Sequence, residues 1–267
     1  MTNQTSDLSP LSLPFFAPPY EPIWFCKGFK RVSLVCDIGS DAMSVLLANT
    51  PFEPTGSRCE IFTDDLSGHS LGGFNESGVA VPVSYDGVQG IFHSVVFVTT
   101  DVAMIAGREV FGYPKLIADV SFEQTVSRIV CTTTRGGAEL LHLECELGRD
   151  LAGVEELAPL SDRASGGEWE WTHHLLVKSI PSPHEGKADF LSVIYRNIGG
   201  RVLRASAGDA TLRLGTAKEV APVGDVKVVA AHYLEGDFGG DRGTDRRTLY
   251  AASDVDTTDQ QRNNLAP

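Results

Sequence analysis

Alternation of apolar and polar positions begins at Val79 and dominates the chain from there. Val79, Val81, Val83 and Tyr85 hold every second position, Asp86-Gly87 supplies a two-residue turn, and residues 91–98 read as the return strand of a hairpin. Further strands are predicted at 118–123, 128–134 and 140–147, with Arg135-Gly136-Gly137 turning the chain between the last two. In the third of these, Leu141, Leu143, Cys145 and Leu147 share one face, while His142, Glu144 and Glu146 share the other. The same style continues through 175–180, 191–198, 201–206, 211–214 and 226–233. The Gly, Asp and Arg mixture of 237–247 reads as a solvated loop.

Helical signals are few. Ser40 and Asp41 are placed to cap a short helix running to Asn49, with Ala42, Val45 and Leu46 on one face. Residues 101–110 read as one or two helical turns capped by Asp101, which Gly112 and Pro114 stop. Short, closely spaced strands with little helix predict an α+β chain that is predominantly antiparallel β. Its form would be a curved sheet, or a β-barrel or cone with a few short helices. Residues 1–22, rich in Ser, Thr and Pro, are expected to form an arm ahead of one folded unit at 23–252. The polar stretch 253–267 is expected to be a flexible tail.

Composition narrows the function classes. At 267 residues and 42% hydrophobic, the chain has ample material for a sizeable core. A net charge of −13 disfavours nucleic acid or an anionic membrane as partner, so an anionic substrate would need a local cationic patch. Cys26, Cys36, Cys59, Cys131 and Cys145 are scattered without a C-x-x-C pair, which points to buried thiols in a reducing compartment. With no apolar leader or spanning stretch in view, cytoplasm is the expected location. His173-His174 has no partner at a ligand spacing, and His93 sits inside an apolar strand, so both read as structural histidines.

One segment stands apart. Gly107-Arg108-Glu109-Val110-Phe111-Gly112-Tyr113-Pro114-Lys115 delivers a lysine from a rigid proline into the apolar run Leu116-Ile117-Ala118. A lysine so placed is expected to be kept dry, with Arg108 and Glu109 joining an ion-pair network beneath the loop. Burial disfavours an ammonium ion, and a free amine attacks a carbonyl to form a Schiff base.

Gly-Arg-Glu-x-x-Gly-Tyr-Pro-Lys resembles the active-site signature of the acetoacetate decarboxylase family. The stretch from Asn75 through Glu76 to Gly87 is similar to that family's glutamate-bearing strand and turn, at a matching distance from the lysine. The resemblance implies an imine between Lys115 and a β-keto acid, with Glu76 binding a substrate hydroxyl or shuttling protons. It implies a pocket shared by Glu60, Arg108, Tyr113 and Leu116, no metal or organic cofactor, and a homo-oligomer to which the N-terminal arm would suit. In that family the reactive lysine is activated by desolvation or by a cationic neighbour. Leu116 stands where the family commonly carries a second lysine, leaving desolvation as the local mechanism. No arginine follows Phe25 in the family's manner, so Lys27, Lys30 and Arg31 are candidates to hold a carboxylate. The expected function is a Schiff-base lyase acting on a small or medium oxo acid. The alternatives are aldol or dehydration chemistry on an α-keto acid, and a barrel that only binds a small ligand.

Overall fold

The computed structural model describes residues 24–149, 168–170, 173–181 and 188–251. The expected arm and tail, 1–22 and 253–267, lie outside the described residues. In chain order the strands are β1 (Phe25–Asp37), β2 (Glu53–Pro54), β3 (Arg58–Leu66), β4 (Phe74–Tyr85), β5 (Val88–Val98), β6 (Lys115–Ile117), β7 (Asp119–Gln124), β8 (Arg128–Arg135) and β9 (Ala138–Arg149). They continue with β10 (Glu168–Glu170), β11 (His174–Pro181), β12 (Ala188–Leu214) and β13 (Lys227–Ala251). Helix α1 spans Gly39–Leu46. Helix α2 (Asp101–Ala106) runs directly into a π-helical turn, Gly107–Phe111.

These strands form one large, mostly antiparallel sheet in the order β11-β5-β4-β3-β1-β13-β12-β9-β8-β7. Strand β11 also pairs with β12, so the pairings from β11 through β5, β4, β3, β1, β13 and β12 return to their start. The predicted hairpin is present: β4 and β5 pair through Asp86-Gly87, both residues at positive φ. The predicted faces of β9 also hold. Leu141, Leu143 and Cys145 are buried, and across the other face Arg128 pairs with Glu144 and Glu146.

Five expectations need correction. The pieces read at 191–198, 201–206 and 211–214 are one strand, β12, whose register against β13 shifts at Leu191/Ser192, Arg196/Ile198, Ile198/Gly200 and Val202/Arg204. Bulges bend a strand without ending it, and the glycines that suggested breaks sit among them. Residues 237–247, expected as a loop, lie within β13. Strands β1 and β3 precede the region where alternation first shows. Helix α1 has no side-chain cap; it buries Met43 and leaves Val45 exposed, while the N-cap of α2 is Thr100, whose Oγ1 accepts from the Ala103 N–H at 3.3 Å.

Three apolar clusters fill the fold. The largest includes Val79, Val81, Val95, Phe97, Leu143 and Tyr233. A second joins Phe29, Leu66, Phe74, Val96, Val98 and Ala103, and a third joins Trp24, Ala106, Phe111, Tyr113, Leu176 and Ile194. Successive residues of β5 alternate between the first and second clusters, as a strand requires. No helix among the described residues is long and apolar enough to cross a membrane.

Candidate active site

A small cavity of about 60 Å³ opens where the second and third clusters meet. Leu66, Phe74 and Ala103 enter it from one side and Trp24 and Tyr113 from the other. Lys115 reaches it from the first position of β6, whose parallel pairing with β5 sets Lys115 beside Val96, Leu116 beside Phe97 and Ile117 beside Val98. The approach to this strand is fixed step by step. The π-helical turn closes on Gly112, whose left-handed φ of 86° is accompanied by donation from its N–H to the carbonyls of Gly107 and Arg108. Pro114 then accepts from the Val96 N–H at 3.3 Å.

The amine does not stand alone in an apolar shell. Lys115 Nζ donates to Glu76 Oε2 at 2.6 Å and lies 5.5 Å from the ring centroids of Phe74 and Tyr113. Glu76 comes from β4, where it is the register partner of Asp64 on β3. Asp64 in turn takes a bidentate pair of hydrogen bonds from Arg31 of β1, both at 2.7 Å. Burial works against the Arg31 charge, but Asp64 more than offsets it and the guanidinium stays cationic. Burial pushes the Asp64 carboxyl up to about 6 despite Arg31, with Glu76 and Glu60 adding to the rise.

A second polar group faces this one across the cavity. His174 of β11 and Arg196 of β12 are register partners, and the Tyr113 hydroxyl lies between them. Arg196 Nη1 donates to Tyr113 Oη at 3.0 Å, and Tyr113 Oη lies 2.6 Å from His174 Nδ1. With the guanidinium as donor to the oxygen, the hydroxyl proton is directed at His174 Nδ1. The guanidinium carbon also sits 4.0 Å from the Phe111 ring centroid, a cation–π contact that holds the fork in place. His93 and His69 complete the wall.

Three of the six expected residues, Lys115, Glu76 and Tyr113, line the cavity. Glu60 is buried behind it, accepting from Ser33 Oγ and lying 3.7 Å from Arg31 Nη1. Arg108 is exposed and its Nη1 donates to the Lys115 carbonyl at 3.2 Å, so it steadies the backbone of the lysine. The expected Arg108–Glu109 network is replaced by that bond and by one from Lys178 Nζ to the Glu109 carbonyl. Leu116 packs on the largest apolar cluster, because neighbours on a strand face opposite ways. It therefore does not dry the amine as expected.

Sequence reasoning missed Asp64, His69 and Arg196 and set His174 aside as structural. Two of them carried a faint signal: Arg196 follows the apolar run Val193-Ile194-Tyr195, and His174 opens the run Leu175-Leu176-Val177. Of the three cations proposed for a carboxylate, the structure brings Arg31 to the cavity.

The histidines give the site a pH signature. Burial, then the Lys115 charge, holds His69 at about 4. Burial, then Arg31, Lys115 and Arg196, holds His93 at about 3, and burial with His93 and Arg196 keeps His174 well below its ordinary 6.5. Each group takes up a proton on unfolding at pH values between its folded and unfolded constants. Stability is thus full above about 6.5 and falls as pH drops toward about 4. Asp64 opposes this below about 6, where the folded state holds its proton. Three histidines outweigh one aspartate, so the denaturation midpoint is expected to fall between pH 7 and pH 4.5. A midpoint that stays flat or rises would contradict these assignments.

The comparisons with known proteins converge on one family. The family model Acetoacetate decarboxylase (ADC) matches residues 13–247, and the chain belongs to this family. The acetoacetate decarboxylase of Clostridium acetobutylicum is 41% identical over 61 residues, 21% of this chain and 24% of that enzyme. That of Acidiphilium cryptum is 26% identical over 177 residues, 65% of this chain and 68% of the enzyme. The crystal structure of acetoacetate decarboxylase from Legionella pneumophila superposes with a TM-score of 0.74 at 16% identity, covering 93% of this chain and 94% of that one. The enduracididine biosynthesis enzyme MppR complexed with pyruvate gives 0.62 at 13% identity, covering 88% and 93%.

Proposed function

We propose that the protein is a Schiff-base lyase that decarboxylates a small β-keto acid through an imine on Lys115. The observation that carries this reading is the 2.6 Å pair between Lys115 Nζ and Glu76 inside a small cavity with a surplus of cations. Arg31, Lys115 and Arg196 face Asp64 and Glu76 there, a local excess of one positive charge in a chain of net −13. That patch suits a monoanion. At about 60 Å³ the cavity has room for roughly four to six water-sized groups, which fits a small oxo acid.

The chemistry follows from the pair. Glu76 accepts a proton from the ammonium, and the freed amine attacks the ketone carbon. Loss of water from the adduct leaves a protonated imine. The bond between the α-carbon and the carboxylate then breaks, its electron pair moves toward the imine nitrogen, and CO2 departs from an enamine. Protonation at carbon and hydrolysis return the amine. Arg196, braced by Phe111 and Tyr113, is placed to hold the carboxylate until it leaves.

With an α-keto acid the same imine loses a proton instead, and its enamine adds to an aldehyde. The pyruvate complex of MppR makes this the second reading to test. Borohydride reduction with acetoacetate and with pyruvate, followed by peptide mass spectrometry and CO2 measurement, separates the two. A Lys115 adduct with CO2 release from acetoacetate is the expected result. An adduct with pyruvate alone would transfer the reading to aldol chemistry, and no adduct with either acid would overturn the imine.

A further inference from the structure

His69 shares the cavity with Lys115 but has no role in the steps above. It lies in the connection between β3 and β4, and that connection is tied to the start of β1. Cys26 and His69 form an isolated antiparallel bridge, the Ser70 N–H donates to the Phe25 carbonyl at 2.8 Å, and the Lys27 N–H donates to the Gly68 carbonyl at 3.3 Å. The imidazole is packed among Phe74, Phe238 and Trp24, with ring centroids 5.0, 5.9 and 6.5 Å away. Its backbone and ring are both held.

The chemistry of this ring is set by one hydrogen bond. The Leu71 N–H donates to His69 Nδ1 at 3.1 Å. A ring nitrogen that accepts carries no proton, so the imidazole proton resides on Nε2. Among the described residues Nε2 has no protein hydrogen-bond partner, and it is not one of the sealed, unsatisfied polar atoms of the interior. The ring lines the cavity, and Nε2–H is the donor that it has left to offer a bound molecule there.

We propose that His69 is a catalytic residue of the imine chemistry, its Nε2–H donating to the carbonyl oxygen of the oxo acid while Lys115 attacks the carbonyl carbon. This rests on the function proposed above and adds the group that polarises the carbonyl. As the nitrogen lone pair forms the N–C bond, the C=O π pair moves onto oxygen, and Nε2–H bonds the developing oxyanion while keeping its own proton. The two protons that leave the nitrogen travel by way of Glu76 to that oxygen, which departs as water. Ammonium and ketone become iminium and water, with no change in oxidation state.

Neutrality is what suits the ring to this task. A cationic imidazole would repel Lys115 and would have no lone pair for Leu71. Burial and the Lys115 charge keep the ring neutral across the range in which the enzyme would work, so its donor does not titrate away.

The test is the rate of borohydride-trapped imine on the full chain with the oxo acid that the parent traps. His69→Phe keeps the ring packing and removes the donor; His69→Gln places an amide N–H near the position of Nε2. The expected result is a loss of roughly 10²-fold in the rate of imine formation for His69→Phe. At least tenfold should be recovered by His69→Gln, with binding of a saturated carboxylate lacking the oxo group unchanged in both. Trapping by His69→Phe at the parent rate overturns the role of His69 and leaves the imine standing, whereas absence of trapping in the parent sinks both. Nitrogen NMR of the unmodified protein tests the same claim without a variant: a His69 ring protonated on Nδ1, or cationic at pH 7, overturns it.

Discussion

Lys115→Ala is expected to abolish turnover, lowering kcat/KM on the order of 10⁴-fold or more, and to leave no trappable adduct. Alanine offers no nucleophile, and among the described residues no other lysine lines the cavity. Glu76→Gln provides the contrast that assigns roles within the pair. Its amide oxygen still accepts from the 2.6 Å hydrogen bond, but it cannot take a proton from the amine. That variant should lose roughly 10²- to 10⁴-fold in rate yet still accumulate adduct on Lys115 over longer times. The two substitutions would then differ in kind, one removing the bond-forming atom and the other slowing the proton that must leave it. Equal turnover in Lys115→Ala and parent would end the imine mechanism. Full activity in Glu76→Gln would move the proton to another group, with Asp64 next in line.

The parts of this arrangement differ in how far they can be read from sequence, and the difference has a physical cause. Lys115 was legible because a proline and two glycines impose a local path that few sequences take. The β4–β5 hairpin was legible because period-2 alternation ends in a two-residue turn. Strand β3 has no such signature: Cys59 through Asp64 are all buried, so both faces face protein and alternation disappears. Glu60 and Asp64 are charged positions within this buried strand, and each is satisfied by a residue of β1, Ser33 and Arg31 respectively. The complement of a buried charge lies on another strand, and a single chain read linearly does not reveal the pairing. The same holds for Tyr113, His174 and Arg196, which meet only because β11 and β12 pair in register. Leu116 shows the converse error. Sequence adjacency suggested a shared pocket, but strand geometry sends adjacent side chains apart.

Gly107→Ala should cost activity without costing stability. The Gly107 backbone has φ −64° and ψ −43°, ordinary helical values that alanine prefers by about 1 kcal/mol, so nothing in the chain path requires glycine there. What requires it is the lysine. A Cβ at this position would stand 2.7 Å from Lys115 Cδ and Cε and 3.3 Å from Nζ. The lysine cannot retreat through its backbone, which is paired with β5 and held at its carbonyl by Arg108. Phe74 and Tyr113 stand around its tip, so the side chain must rotate and carry the amine away from Glu76. A displacement near 1 Å at a reacting atom costs roughly 10²-fold. The melting temperature is expected to change little, because the helical gain offsets the local crowding. Imine trapping should slow in parallel with turnover, since the fault lies in the position of the amine. A Gly107→Ala protein with parental activity would mean that the lysine reacts from a different rotamer. One that simply unfolds would mean that the close packing of Gly107 against Lys115 is part of the fold as well as of the site.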